Sequence, residues 1–376
     1  MIPVFMYHKV EPQQFERELL YLKRNEYHTT CGSGLLSSLT ERTCLAKKVV
    51  LTFDDGAKSL WHTAYPLLKK YDMKAIAFVI PGRISHGPKD STMWPVTRAQ
   101  RELFSDKNTS AQMCNWEELS EMENSGHVDI QSHSFYHALV FVSNRVIDFV
   151  NLSHFNQFDS SRTNFLVRTE GREALLTRDS LGAPIYGHLP LYDTHKRYID
   201  DEGLRQQCIE FARRRGTQFF RTSDWRRKMF DFVESRCHSL EITAGHFEND
   251  LGTLIGEDIG LSKSTIEREL GKRVEHLCFP FGVCNSISAE LAGMKGFRIV
   301  YGVDSHTDYG ALRQAPVHVV LRHNGDRGEV GKLLQGRGHR WLNITGAAFR
   351  LRSRLRAELS SKLHGAGDVS LDTSRH

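Results

Sequence analysis

Two short stretches carry residues whose types and spacing can do chemistry. Thr52-Phe53-Asp54-Asp55-Gly56 follows the apolar run Lys48-Val49-Val50-Leu51. Side chains alternate along extended backbone, so adjacent carboxylates at a strand end are expected to point in opposite directions. One is then free to hold a metal while the other faces substrate as a base, and Gly56 lets the chain turn sharply beside them. Asp-Asp-Gly is also an ordinary turn sequence, so this stretch alone leaves both readings open. The second stretch is Gly126-His127-Val128-Asp129-Ile130-Gln131-Ser132-His133-Ser134-Phe135-Tyr136-His137. His133 and His137 stand four apart, a spacing that puts two imidazoles on one face of a helical turn. With one aspartate from elsewhere they make a site with open coordination positions, the pattern of a catalytic rather than a structural metal. The plainer alternative packs one histidine in the core and leaves the other on the surface.

Short apolar runs alternate with amphipathic stretches, and these elements must position the two motifs. Residues 3–7, 48–53, 75–80, 127–131, 275–280, 297–301 and 316–321 read as strands. Residues 12–24, 58–71, 115–125, 261–271 and 285–295 read as helices. Repeated β-then-α order implies a parallel sheet with helices outside it.

The chain resembles the polysaccharide deacetylase family, also called the NodB homology or carbohydrate esterase family 4 group. The resemblance rests on Thr52–Gly56, on His133–His137, and on Asn115-Trp116-Glu117-Glu118-Leu119 with Ser125-Gly126-His127 before the latter. It also rests on Leu277-Cys278-Phe279-Pro280-Phe281-Gly282, preceded by the helix-like Ser262–Gly271. The opening Pro3-Val4-Phe5-Met6-Tyr7-His8 and Phe15–Leu22 are similar to the circularly permuted poly-N-acetylglucosamine deacetylase subgroup. The resemblance implies an α/β fold, a distorted (β/α) barrel of about seven parallel strands with its site at the C-terminal strand ends. Residues 1–140 and 255–340 would form that barrel, residues 141–254 an insertion, and residues 341–376 a basic helix and tail.

Carried over by residue, the resemblance makes Asp55, His133 and His137 metal ligands and Asp54 the base that takes a proton from the attacking water. The backbone N–H of Phe281, after Pro280, matches an oxyanion donor. A general acid must protonate the departing amine. His8 matches that acid in the permuted subgroup, and His323, after Val319-Val320-Leu321-Arg322, is its competitor from unpermuted members. Trp94 is a candidate platform for a sugar ring, or else a loop tryptophan packed on helices. The implied cofactor is one divalent ion, zinc first, with cobalt, nickel, iron or manganese also suited to two imidazoles and a carboxylate. The implied activity is removal of N-acetyl groups from N-acetylhexosamine units, N-acetylglucosamine foremost, of a polysaccharide, oligosaccharide or glycan precursor. Its rivals are a weakly catalytic carbohydrate-binding protein on the same barrel and a hydrolase of another amide.

The remaining features bound these expectations. In 376 residues, 40% are apolar and 25% charged, as in ordinary globular proteins. The net charge of +5 is spread along the chain and gives no reason to expect nucleic acid. Seven cysteines, an odd number without a Cys-x2-Cys pair, argue against a disulfide framework or structural zinc. With no leader pattern or membrane-length apolar run, the expected location is the cytoplasm, where a lipid-linked sugar at the inner membrane face is one substrate. The insertion is expected to hold helices at 203–215 and 223–234, the second capped by Ser223 or Asp224. It follows His137, so it is a lid over the site or a peripheral decoration. Leu351, Leu355, Leu359 and Leu363, with Arg350, Arg352, Arg354 and Arg356 among them, make 346–363 a basic amphipathic helix. That helix suits peripheral contact with an acidic membrane or docking on the barrel.

Overall fold

A computed structural model of the chain describes residues 2–41, 47–86, 113–156, 164–303, 316–326 and 330–334. They belong to two units, residues 1–326 and 327–376; the second contributes the short helix Val330–Leu334. Trp94 and the expected helix at 346–363 lie outside the described residues.

The expected barrel is present. Its strands are β1 (Val4–Tyr7), β3 (Lys48–Phe53), β4 (Ala75–Val79), β5 (Val128–Ser132), β12 (His276–Cys278), β13 (Ile299–Val303) and β14 (His318–Asn324). They pair in the order β1-β14-β13-β12-β5-β4-β3, and β3 pairs back onto β1 to close the ring. Every pairing is parallel, from Val4 beside Val50 at the closure to Leu277 beside Ser132 between β5 and β12. A further short strand, β2 (His28–Thr29), adds to the outside of β3. Alternation sends Val4, Val50, Ile76, Phe78, Cys278, Ile299, Tyr301 and Val320 into one buried cluster. The helix Gly32–Glu41, which the sequence pattern does not predict, adds Leu35 and Leu36 to it.

The helix Pro12–Arg24 has the expected bounds, and Asn115 and Glu118 form a capping box at the start of Trp116–Asn124. The helix expected at 58–71 opens instead as a π turn, Leu60–Ala64, before Tyr65–Tyr71. Pro66 has no N–H to donate, so regular α hydrogen bonding is interrupted there. The helix expected to begin at 261 begins at Gly252 and runs to Leu270, capped by Gly271 in the left-handed region.

Between the second and third motifs lie β6 (Leu139–Phe149), β7 (Leu166–Thr169), β8 (Arg172–Leu175), β9 (Pro184–Pro190), β10 (Arg197–Ile199) and β11 (His246–Glu248). They pair antiparallel as β6-β9, β7-β8 and β10-β11. Helices Glu202–Arg213 and Trp225–Cys237 complete this region, and its apolar side chains form their own buried cluster, including Phe141, Phe149, Tyr186, Trp225 and Met229. Asp224 precedes the second helix without making a side-chain cap. No helix among the described residues is long and apolar enough to cross a membrane.

Candidate metal centre and its flanking acid and base

β3 delivers the two aspartates, but not on opposite sides. Asp54 still follows the ladder, its N–H donating to the Tyr7 carbonyl at 2.8 Å. Asp55 and Gly56 then take φ values of 69° and 81°, so the chain leaves the strand at once. The expected divergence of the carboxylates assumes extended backbone at both residues, and Asp55 breaks that assumption. In consequence Asp54 Oδ2 and Asp55 Oδ1 lie 4.0 Å and 3.6 Å from the same atom, His133 Nε2.

The His133–His137 segment is likewise not a helical turn. Ser134 and His137 have φ of 66° and 53°, and side-chain hydrogen bonds stand in for the backbone pairing of a helix. The Ser134 N–H donates to Ser132 Oγ at 3.3 Å, and the His137 N–H donates to Ser134 Oγ at 2.9 Å. Small hydroxyl side chains satisfy the backbone locally here, which is how serine competes with helix formation. The rings still meet, with centroids 4.9 Å apart. His137 Nε2 lies 3.8 Å from Asp55 Oδ1.

The triad Asp55, His133 and His137 fits a metal on its own chemistry. Asp55 Oδ1 is buried without a hydrogen-bond partner among the described residues. The Nδ1–H of His133 donates to the Cys278 carbonyl at 2.8 Å, which leaves its Nε2 lone pair facing Asp55. Burial pushes both imidazoles toward the neutral, ligating form. A second group, Asp54, His133 and Cys278, also clusters. It is the poorer donor set, because Arg322 occupies both Asp54 oxygens and burial holds the Cys278 thiol well above its usual range.

Asp54 is buried in the barrel mouth against Arg322, which donates Nη1 to Oδ1 at 2.6 Å and Nη2 to Oδ2 at 2.8 Å. Burial raises the Asp54 pKa, but Arg322 and then His133 outweigh it and hold the carboxyl well below the usual range. His8, just past the end of β1, has its Nε2 3.9 Å from Asp54 Oδ2. Asp326 grips it twice, accepting the His8 N–H and bonding to Nδ1, both at 2.9 Å. Burial disfavours protonation of His8, yet the Asp326 hydrogen bond and the Asp54 and Asp55 charges prevail and raise its pKa to about 9.

His323 is not brought to this cluster. Its neighbour Arg322 points into the barrel, so alternation turns His323 outward, where its ring lies 6.1 Å from that of Phe5. Pro280 is buried, and Phe281 takes φ of 58° with its ring 4.6 Å from that of His137.

Two residues of this cluster escaped sequence reasoning, Arg322 and Asp326, and so did Asp258, whose carboxylate accepts the N–H groups of Phe135 and Tyr136 beside it. Arg322 alternates with Val320 on one strand face, so a cation inside an otherwise apolar barrel was its signal. Asp258 shares a helical register with Ile255, Ile259 and Ser262, an acid on a buried face. Asp326 follows the last strand and has no such pattern.

Parts of the chain are similar to known proteins. Residues 42–159 match the family model described as polysaccharide deacetylase. Over 94 residues the chain is 37% identical to the putative polysaccharide deacetylase YxkH of Bacillus subtilis (strain 168), covering 23% of this chain and 34% of that protein. The chain thus spans about a third of that relative's length. Among solved structures, the Streptococcus pyogenes deacetylase PplD in complex with acetate has 15% identity and a TM-score of 0.47, over 89% of this chain and 96% of that one. IcaB from Ammonifex degensii has 16% identity and a TM-score of 0.47, over 88% and 97%. Likeness at that level speaks to neither activity nor substrate. The segment carrying Asp54, Asp55, His133 and His137 is the one that is similar to the polysaccharide deacetylase family model.

Proposed function

We propose that this protein is a metal-dependent hydrolase that removes the N-acetyl group from N-acetylhexosamine units, N-acetylglucosamine foremost, of a glycan or glycan precursor. The observation that carries this reading is one cluster holding a metal-binding triad, a buried carboxylate and a cationic histidine within 4.0 Å steps of one another.

Asp55, His133 and His137 would hold the ion. When bound, a divalent cation there supplies Lewis acidity, polarising the acetamide carbonyl and lowering the pKa of water. Asp54, kept ionised by Arg322, accepts the proton of the attacking water. Phe281 is assigned to orient an N–H toward the oxyanion. His8, protonated at neutral pH with a pKa of about 9, donates a proton to the amine nitrogen as the C–N bond breaks. Water thus adds across the amide, giving acetate and a free amino sugar. Arg322 and Asp326 position the base and the acid. Zinc is the proposed ion, and a cytoplasmic location belongs to the same proposal.

The test measures acetate released from N-acetylglucosamine oligomers, with and without a chelator. Chelator-sensitive release from the parent and none from Asp54→Asn is the expected result. Bound metal without acetate from any glycan would turn the reading toward a carbohydrate-binding protein or another amide.

A further inference from the structure

The His133–His137 loop carries two of the three metal-binding side chains, yet its backbone is in an unfavourable shape. Ser134 and His137 both lie in the left-handed region, each unlike glycine in having a Cβ to accommodate. Something outside the loop must hold it there. Its polar backbone groups show what does so. Asp258, buried on the helix Gly252–Leu270, accepts the N–H of Tyr136 at 3.0 Å and that of Phe135 at 3.3 Å. The Tyr192 hydroxyl donates to the same carboxylate. Asn164 Nδ2 donates to the carbonyls of Tyr136 at 2.8 Å and His137 at 3.3 Å. Gly82 donates its N–H to the Phe135 carbonyl at 3.2 Å, and a Cβ at Gly82 would approach that oxygen to 2.6 Å.

Tyr192 and Asn164 both belong to the region between the second and third motifs. Tyr192 is itself anchored, its carbonyl accepting from the Asn285 N–H at 2.8 Å and from Ser288 Oγ at 3.2 Å. The Asn164 carbonyl accepts from the Leu139 N–H at 2.8 Å. Phe281 packs on that region's apolar cluster and on the His137 ring.

We infer that Asp258, Tyr192 and Asn164 are positioning residues for the metal ligands, so that the insertion braces the His133–His137 loop directly through Asn164 and indirectly through Tyr192 on Asp258 of the helix that follows it. It is neither a lid nor a decoration in this respect. The carboxylate fits the task because it accepts three donors at once, whereas a neutral side chain of the same size cannot. This inference rests on the reading of Asp55, His133 and His137 as a metal site.

The test compares zinc affinity, by competition with a chromophoric chelator, and the visible spectrum of the cobalt-substituted protein. The variants are Tyr192→Phe, Asn164→Ala, Asp258→Ala and Asp258→Asn, with circular dichroism of the metal-free proteins as a check of fold. Loss of outer-shell support weakens metal binding by about 10–100-fold. Tyr192→Phe and Asn164→Ala are expected to show such a loss and a shifted cobalt spectrum while remaining folded. Asp258→Asn, which keeps an acceptor, is expected to recover part of what Asp258→Ala loses. Should Asp258→Ala fail to fold, the two milder variants decide the matter. Parental affinity and an unchanged cobalt spectrum in both overturn the brace. A parent that binds no metal overturns the site reading instead.

Discussion

Arg322 and Asp54 form a bidentate pair inside the barrel mouth, at 2.6 Å and 2.8 Å, with neither side chain exposed to solvent beyond 2%. The pair joins β14 to the end of β3, strands that are separated in the ring by β1. It keeps Asp54 ionised and aims it, at the cost of lowering its basicity.

Removing the guanidinium leaves a buried carboxylate unpaired. Arg322→Ala is therefore expected to destabilise the protein by about 3–5 kcal/mol, read from denaturant unfolding. Arg322→Lys keeps the charge but not the fork, and should lower kcat more than it raises KM. A stability and kcat equal to the parent in both variants would contradict the assigned role.

The two aspartates should separate in their effects. Asp55→Ala is expected to lose metal and turnover together, as measured by metal analysis of the purified protein. Asp54→Asn should retain stoichiometric metal while turnover falls by at least about a hundredfold, within the range for general acid–base groups. Full activity in Asp54→Asn would remove it from the role of base.

His8 supplies a pH signature. Its folded pKa is raised to about 9, above the ordinary histidine value. The contribution to stability is thus complete at mildly acidic pH and is lost as pH rises through about 9. The acid must be protonated to act, so activity should fall along the same alkaline limb. In Asp326→Asn the principal support for the cation is removed, and the limb should move to lower pH. An unmoved profile would show that another group governs it.

The choice between the two candidate acids can be made directly. His8→Ala is expected to lower kcat at least about a hundredfold, and His323→Ala to remain near parental. Its ring faces Phe5 outside the barrel, so any loss in His323→Ala should appear in stability rather than rate.

Much of the frame was legible in the sequence because it rests on local periodicity. Apolar runs such as Lys48–Phe53 and Ala75–Val79 are buried on both faces, which parallel barrel strands require, and their bounds follow from composition alone. The helix Gly32–Glu41 was not legible, since Gly32, Gly34 and four hydroxyl side chains obscure its apolar face. At the site, the sequence determined which residue types were on hand: paired aspartates at a strand end and two histidines four apart.

Only the tertiary structure decided how they meet. Left-handed backbone at Asp55, Ser134 and His137 overrides the alternation and helical spacing that the sequence suggests, and the His133–His137 loop meets Asp258 and Asn164 from farther along the chain. Arg322 reaches Asp54 and Asp326 reaches His8 across more than two hundred and sixty residues, because barrel closure sets the last strand beside the first. Periodicity reports which face of an element is buried. It carries no record of which distant side chain will be waiting there, and that depends on the register in which the ring closes.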